Sequence, residues 1–236
     1  MKFKKAMTTA ELLIALTIIG VVAALVLPSV IENYQKKIYL TKLKKTYMAL
    51  TSAVEQACID SNVSYFYLTP YAANYNKSKA LEFLKKYMNV KSESSGFADT
   101  YKIIQDRAYT ETELAQMSEE DREKYSDPEA KVQERGSGVS DSYAKVMLND
   151  GQALAMVCET SSNNCYVFLD INGKDEPNME GRDMFSFRIE QLTNKISDYK
   201  SSDNCLTGSA TIGDVNIGNG GGCLAKIMED NWNMDY

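Results

Sequence analysis

Residues 12–31 have the sequence LLIALTIIGVVAALVLPSVI, and the rest of the architecture follows from this stretch. Its 20 residues carry no charge, and about 20 apolar residues are what a helix needs to cross a bilayer. Lys2, Lys4 and Lys5 stand shortly before it, and basic residues hold the adjacent end of a membrane helix on the cytoplasmic side. We therefore expect residues 12–31 to span the membrane, with the N-terminus inside and the rest of the chain exported.

This stretch differs from a secretory signal peptide, whose apolar core has roughly 7–15 residues and precedes a cleavage site. Here no linker follows, and a helical pattern continues to Cys58. Apolar residues recur there at alternating spacings of three and four, which places one apolar stripe along a helix. They are Leu40, Leu43, Tyr47, Leu50, Val54 and Ala57. The sequence thus predicts one long helix with an apolar stripe on its second half.

Glu11 lies where the basic leader meets the apolar stretch. A carboxylate in or near hydrocarbon is costly unless it has a partner. Residues 4–12, KKAMTTAEL, combine a basic leader, a small residue and a glutamate ahead of an apolar helix. This combination resembles the processing site of type IV prepilins and type II secretion pseudopilins, and the resemblance covers about residues 2–58.

The resemblance implies roles for single residues. A prepilin peptidase would cleave between Ala6 and Met7 on the cytoplasmic face, and the new Met7 amine would be methylated. Glu11 would then neutralise the terminal amine of a neighbouring subunit during assembly. Gly20 and Pro28 fall where the family often places residues that soften the helix. The family usually has glycine and phenylalanine around the cut, where this chain has Ala6 and Met7.

The chain divides into a cleaved leader at residues 1–6, a helix at residues 7–58 and an exported head at residues 59–236. The net charge of −6 becomes −9 once the three leader lysines are removed, which argues against a nucleic-acid surface. Histidine is absent from the sequence, so Ser-His-Asp, Cys-His and histidine-ligated zinc sites are excluded. We expect a protein that is not an enzyme.

The five cysteines lie in or next to the exported part, where oxidising conditions allow disulfides to persist. None forms the Cys-x-x-Cys pair that is typical of a four-cysteine zinc site. We expect Cys158 to pair with Cys165 across a tight turn, and Cys205 with Cys223 around a glycine-rich loop. Cys58 is left over, and we expect it to be buried under the head as a small apolar residue. A cysteine-closed C-terminal loop also resembles the disulfide-bounded region of many pilins.

Aromatic residues crowd the beginning of the head, between Asn62 and Tyr75. They are Tyr65, Phe66, Tyr67, Tyr71 and Tyr75. One interpretation is irregular structure that packs these rings onto the helix, and the alternative is an aromatic platform that binds sugars. Beyond this segment, Ser78 predicts the N-cap of a short helix. One face of that helix carries Leu81, Leu84 and Met88.

Residues 106–135 are rich in charge, with ten acidic and five basic side chains. Thr110-x-x-Glu113 is a capping-box pattern, and Pro128 and then Gly136 to Gly138 end the segment. We expect short exposed helices in an insertion on the surface of the head. A solvated face is the favoured interpretation over a dedicated partner site.

A strand-like pattern begins at Ser142. Residues 143–148 and 152–158 flank Asn149-Asp150-Gly151, and Asp-Gly between two apolar runs is typical of a β-hairpin. Residues 165–170 and 184–189 predict a third and a fourth strand. An antiparallel sheet that packs one apolar face on the long helix makes an α+β domain, which is also the pilin-like architecture that the resemblance implies.

The segment between the last two of these strands, Asp170 to Asp183, is dense in oxygen-bearing side chains. Asp and Asn bond their own backbone and Gly takes left-handed angles, so a structured turn is one interpretation. The order Asp-x-Asn-Gly, Pro-Asn and Gly-x-Asp-x-Phe also resembles a segment in the heads of bacterial prepilin-type proteins. The alternative is a calcium site, although its glycine stands fourth and that of an EF-hand stands sixth. The ligands would be Asp170, Asn172, Asp175, Asn178 and Asp183.

The C-terminal part is predicted to be mostly irregular. Residues 203–222 are rich in Asp, Asn and Gly, which is typical of a loop. Residues 223–230 predict a short final helix, and we expect Trp232 to seat the C-terminus against the head.

Two functions fit these features. In the first, the chain is a pilin or pseudopilin that an inner-membrane assembly platform and its ATPase extract from the bacterial inner membrane. Its helices would then stack with those of other pilin subunits into a type IV pilus or a type II secretion pseudopilus, in the periplasm or at the cell surface. In the second, it is a membrane-tethered extracytoplasmic binding protein that does not polymerise. Glu11 favours the first, because a tether has no use for an intramembrane carboxylate.

Overall fold

The computed structural model describes residues 9–93, 97, 100–104, 115, 119, 132–136, 139, 142–175, 178, 180–205, 210–212, 215–217 and 221–234. The first element, α1, is a single helix from Thr9 to Asp60. Its 52 residues make it roughly 80 Å long at 1.5 Å per residue. The helix predicted for residues 7–58 therefore ends two residues before the observed end.

The head is built on a six-stranded sheet in which all neighbouring strands are antiparallel. In spatial order its strands are β1 (Val90–Ser92), β4 (Ala144–Leu148), β5 (Ala153–Glu159), β6 (Asn164–Asp170), β7 (Met184–Glu190) and β8 (Ile196–Ser197). An apolar helix followed by an antiparallel sheet is the expected α+β arrangement. The edge strands β1 and β8 were not among the four predicted strands, whose boundaries agree with β4 to β7 within one residue.

The predicted hairpin joins β4 to β5. The backbone N–H of Gly151 donates to the carbonyl oxygen of Leu148 at 3.1 Å, which closes the turn. Gly151 has a φ of +85°, an angle that residues with a Cβ rarely adopt. In the resulting register, Ala144 lies opposite Met156. The Asp-Gly pair thus fixes which side chains of both strands face the helix.

The second half of α1 packs on one face of this sheet. Leu43, Leu50, Val54 and Ala57 are fully buried, whereas Leu40 and Tyr47 of the predicted stripe are partly buried. The sheet side chains in the same core include Val146, Leu154, Met156, Val167, Leu169, Phe185 and Phe187. The predicted packing of the helix stripe on the sheet is therefore present.

The other face of the sheet is also covered, which the prediction of one buried face did not include. Ala153, Ala155 and Val157 of β5 form a second buried cluster with Phe97 and other residues. The further members are Tyr143, Tyr166, Phe168 and Met184. Residues before and after the charged insertion, such as Phe97 and Tyr143, thus contribute to a second core on this face of the sheet.

Helix α2 runs from Lys77 to Tyr87, and its N-cap is Asn76 rather than Ser78. The Asn76 side chain accepts a hydrogen bond from the backbone N–H of Lys79 at 3.1 Å. Asn and Ser are about equally good N-caps, so composition alone does not separate two candidates that stand two residues apart. Of the predicted face, Leu84 and Met88 are buried and Leu81 is partly buried.

Two short hairpins stand apart from the main sheet. β2 (Thr100–Ile104) pairs with β3 (Val132–Gly136), and β9 (Ala210–Ile212) pairs with β10 (Val215–Ile217). The expectation of helices is thus wrong for residues 132–135, although Ala115 and Glu119 are helical and exposed. Thr110 and Glu113 lie outside the described residues. The segment predicted to be a loop, residues 203–222, contains the short strands β9 and β10. Neighbouring Gly and Asp obscure a short strand pattern such as Ala-Thr-Ile, so the sequence did not indicate these strands.

The final helix, α3, runs from Cys223 to Glu229, close to the predicted residues 223–230. Buried Asp198 holds its start: Oδ1 accepts from the Gly222 N–H at 2.9 Å, and Oδ2 accepts from two N–H groups of the first turn. Burial raises the pKa of Asp198, while these hydrogen bonds act in the opposite direction. Gly222 has a φ of +99°, and a Cβ there would lie 2.2 Å from the Ser201 carbonyl oxygen, so the position requires glycine.

Trp232 seats the C-terminus on α1, as predicted. Its ring meets that of Tyr47 edge-on, with 5.4 Å between centroids. The ammonium of Lys44 lies 5.2 Å from the Trp232 centroid, in the geometry of a cation–π contact. The last residues of the head are therefore fastened to the second half of the long helix.

Candidate functional site

The first half of α1 is the leading candidate for a functional element. From Thr9 to Leu27 the helix is long and apolar enough to cross a membrane, and none of this segment is buried in the protein. It is a candidate membrane anchor or signal, and it overlaps most of the predicted span 12–31. Glu11 lies in the first turn, where the positive end of the helix dipole stabilises a carboxylate.

Of the predicted N-terminal residues, the structure describes the two helix-softening residues and not the cleavage site. The cleavage site between Ala6 and Met7 lies outside the described residues. Gly20 and Pro28 both lie inside α1, which passes through them as one helix. A Cβ at Gly20 would have no atom within 4 Å, so packing within one chain does not require glycine there. The softening role of both residues stays a prediction.

Beyond the membrane segment, α1 has two unlike faces. Tyr39 is the first buried residue among the side chains of α1 that the structure describes, and from there one face packs on the sheet. On the roughly opposite face, Tyr34, Ile38 and Met48 are 66%, 36% and 59% exposed. Positions 34, 38, 41, 45 and 48 follow the spacing of one helical stripe, in which Thr41 and Lys45 stand between the apolar side chains. The face of α1 that its own sheet leaves open thus carries exposed apolar side chains mixed with polar ones.

A polar cluster fixes α1 to the β4–β5 turn. The Lys45 Nζ atom lies 3.0 Å from Asp150 Oδ2, and Gln152 Nε2 donates to the same oxygen at 2.9 Å. Buried Thr46 donates to Gln152 Oε1 at 3.0 Å. Burial raises the pKa of Asp150, but the hydrogen bonds from Lys45 and Gln152 outweigh it, so the pKa lies below its usual range. The cluster sets the position of the head along the helix.

The loop between β6 and β7 lies at the end of the head nearest the membrane segment. Asp170 and Asp183 are fully buried, and Asp183 Oδ2 accepts from the backbone N–H of Asn178 at 2.9 Å. Asn172 Nδ2 donates to the Asp175 carbonyl oxygen at 2.8 Å. The described part of the chain holds no group of three or more Asp, Glu, Cys or His side chains placed for a metal ion. The described contacts are those of a hydrogen-bonded turn, and calcium stays a prediction.

This loop touches α1 at Tyr39, the point where the helix passes from exposed to buried. The Asn172 side chain donates to the Tyr39 hydroxyl at 3.5 Å. Burial raises the pKa of Tyr39, and the charge of Asp183 raises it further, while Arg182 lowers it. The phenol therefore lies in an acidic environment that the loop creates.

Both predicted cysteine pairings are present. Cys158 and Cys165 are directly opposite on β5 and β6 and form one disulfide. Cys205 and Cys223 form the other, which ties the segment before β9 to the start of α3. Cys58 is buried with a free thiol, and burial raises the pKa of that thiol.

Some aromatic residues of the segment 62–75 pack in the core, as the first interpretation predicts, and others lie on the surface. Phe66 and Tyr71 are buried and contact Phe83 of α2, with ring centroids 5.2 and 5.8 Å apart. Tyr65, Tyr67 and Tyr75 are instead exposed, by 48%, 46% and 42%. Phe66 and Tyr71 thus fill the core, and the three exposed tyrosines form part of the surface.

Sequence reasoning missed the polar residues that position these parts. The Thr46–Gln152 bond joins residues 106 apart, and Asp198 reaches Gly222 across 24 residues. Single polar residues of this kind leave no periodic signal. The one local signal in the sequence is the position of Gln152 directly after the Asp-Gly turn.

Comparisons of the chain with protein-family models, with curated proteins and with solved structures found no match. The function is therefore inferred from the chain itself. The two features that bear on it are the two-faced helix α1 and the surface of the head.

Proposed function

We propose that this chain is a structural subunit, a pilin or pseudopilin, that polymerises through α1 into a filament. The observation that supports this most strongly is α1 itself, which has an unburied apolar segment from Thr9 to Leu27 and then exposes Tyr34, Ile38 and Met48 on the face that the sheet leaves open. A helix that only anchors a head needs no large apolar side chains exposed on that face. Copies of the same helix are a suitable partner for that face.

Burial of this face would favour assembly once subunits leave the membrane. A fully buried Leu, Ile or Val side chain contributes ~1.5–3 kcal/mol relative to exposure in water. A contact between different faces of identical helices is heterologous, and such contacts grow into open helical filaments when the rotation does not close a ring. Because the sheet covers the opposite face of α1, the heads would lie on the outside.

Glu11 distinguishes a filament subunit from a simple tether. In the proposed filament, the Met7 amine of an incoming subunit and the Glu11 carboxylate of its neighbour would meet among apolar helices. Opposite charges attract far more strongly in such a low-dielectric interior than in water. The pair would therefore set the axial position of each new subunit.

The proposed route requires a prepilin peptidase and an inner-membrane assembly platform with its ATPase. The precursor would cross the inner membrane once, with the head on the extracytoplasmic side. The two disulfides fit a head that matures under oxidising conditions. The alternative, a membrane-tethered binding protein that does not polymerise, is favoured by the exposed tyrosines of the head.

The Glu11→Ala variant tests the assembly role. We expect normal insertion into the membrane and a filament yield reduced at least tenfold, because the counter-charge for the incoming amine is lost. The measurement is the amount of chain in sheared filaments when the variant is the sole copy. Glu55→Ala is the matched control, since Glu55 is an exposed carboxylate on the part of α1 that carries the head. Equal filament yields from the two variants would refute the role of Glu11.

The processing site has a separate test. Mass spectrometry of the mature protein should find Met7 as the N-terminal residue, with a methylated amine. Recovery of intact Met1 from cells with an active prepilin peptidase would contradict the cleavage, and with it the supply of the Met7 amine.

A further inference from the structure

The end of the head farthest from the membrane segment carries exposed apolar side chains. Six large ones lie there, and we call them the distal apex: Ile59, Tyr65, Tyr67, Leu68, Tyr75 and Leu192. Among the described residues after Cys58, these are the large hydrophobic side chains that are exposed. At 1.5 Å per residue, the end of α1 lies about 50 Å from Leu27. The apex is therefore the part of the head presented outward, whether the protein is a tether or a filament subunit.

Hydrogen bonds hold the apex in a fixed shape. Asn194 accepts from the backbone N–H of Phe66 at 2.7 Å and donates to the Ser64 carbonyl oxygen at 2.8 Å. The backbone N–H of Tyr67 donates to the Gln191 carbonyl oxygen at 3.0 Å. These bonds position Tyr65 and Tyr67 beside the β7–β8 turn. A binding surface that is ordered in advance loses less entropy when a ligand arrives.

The third tyrosine is held in a strained conformation. Tyr75 has a φ of +45°, which is unusual for a residue with a bulky side chain. Its hydroxyl donates to Glu159 Oε1 at 3.1 Å, and Ser162 Oγ donates to Glu159 Oε2 at 2.9 Å. Strain of this kind persists where the surrounding structure enforces it, and it clusters at functional sites.

Polar side chains between the apex residues are mostly neutral. Ser, Thr and Asn fill most of residues 61–64, 74–76, 160–164 and 193–194. Carboxylates border the same surface at Asp60, Glu159 and Glu190, of which Asp60 pairs with Lys86 at 2.9 Å and Glu190 with Arg188 at 3.1 Å. The net charge of the chain is −6, which disfavours phosphate, sulfate and carboxylate ligands.

We propose that the distal apex binds a neutral oligosaccharide. A sugar ring has a face of C–H groups and a rim of hydroxyls. A half-exposed tyrosine offers a flat apolar ring to the C–H face of the sugar and a hydroxyl to its rim of hydroxyls. Neighbouring Ser and Asn groups match the remaining hydroxyls.

The spacing of the tyrosines fits a short chain of sugars rather than one. The Tyr75 N–H bonds the carbonyl oxygen of Cys158 on β5, and that of Tyr67 bonds Gln191 just after β7. Strands lie about 4.8 Å apart, so two steps across the sheet separate these backbones by about 10 Å. A short chain of sugar rings would cover that distance.

The test uses the full chain in a detergent without a sugar head group, because a glycoside detergent would compete. The probe is an array of neutral oligosaccharides of hexoses and N-acetylhexosamines, followed by titration of the best tetrasaccharide. We expect binding that Tyr65→Ala/Tyr67→Ala weakens about tenfold or more, since two stacking faces are lost. Tyr75→Phe, which removes one hydroxyl, should weaken it less. Lys174→Ala is the control, because Lys174 is an exposed residue of the β6–β7 loop, outside the apex.

Two results would overturn the inference. One is the absence of binding to every neutral sugar on the array by a chain with its native circular dichroism. The other is binding that Lys174→Ala and the double variant weaken equally. If the double variant instead changes only the oligomeric state, the apex is a protein contact and the sugar proposal fails. Loss of sugar binding leaves the filament proposal intact, because Glu11 and α1 are not involved.

Discussion

The two halves of α1 are one continuous helix in two unlike surroundings. Up to Leu27 it is apolar on all sides and unburied. From Tyr39 to Cys58 one stripe is buried under the sheet, while Lys44 and Lys45 remain exposed. A helix that is apolar all round suits lipid or the centre of an assembly, and a helix with one stripe suits the surface of a folded domain. The two halves thus share the same helical backbone, and only the pattern of their side chains suits them to different environments.

The largest difference is expected when one leucine in each half of α1 is replaced by alanine. Leu50→Ala should cost ~2–5 kcal/mol of unfolding free energy, because Leu50 is fully buried and its removal leaves a cavity. Leu16→Ala should change it by about 0.5 kcal/mol or less, because Leu16 is 64% exposed and does not contact the head. Trp232 is the single tryptophan and packs on α1, so its fluorescence follows unfolding of the full chain in detergent. Equal losses in both variants would show that the division of α1 is wrong.

The same contrast explains what the sequence could predict. Twenty uncharged residues and a three-four stripe are long periodic signals, so α1 was predicted to within two residues at its end. The strands β4 to β7 are mostly apolar runs of five to seven residues, and Gly151 marks the turn between β4 and β5. The edge strands β1 and β8 have three and two residues, too few to show an alternation.

Parts without a period could not be predicted. Tyr65, Phe66 and Tyr67 are neighbours, yet the middle ring is buried and the outer two are exposed. Their backbone, which includes a 3-10 helix from Phe66 to Leu68, is held by Asn194, which lies 128 residues from Phe66 in sequence. The aromatic surface of the apex therefore depends on tertiary contacts rather than on local pattern.

A smaller effect should follow from opening the C-terminal disulfide. Cys205→Ser/Cys223→Ser should lower the unfolding free energy by ~3 kcal/mol in the chain-entropy model, since a loop of 18 residues is no longer closed. The change should loosen the segment that seats Trp232 on the packed half of α1 and leave membrane insertion unaltered. Cys58→Ala is the control, because it keeps both disulfides. A free Cys205 thiol in the exported native chain, found by peptide mapping without reductant, would contradict this prediction.

The smallest effect concerns the boundary between the two halves, at Tyr39. If the loop from Asp170 to Asp183 binds calcium, millimolar calcium should raise the thermal midpoint of the full chain above that measured with chelator. Mass action gives about 2.7 kcal/mol at a ligand concentration one hundred times Kd. Asp170→Asn should abolish the calcium response. An unchanged midpoint in the native chain would leave the loop as a turn that packs on Tyr39.

Whether the exposed half of α1 meets other copies of itself can be measured directly. Cells that produce the native chain are sheared, and the released filaments are separated from membranes and analysed by mass spectrometry. The proposed function predicts the chain in the filament fraction, and its loss from that fraction, but not from the membrane, in cells without the assembly ATPase. A chain found only in the membrane fraction of cells that do release filaments would contradict assembly and leave a tethered head.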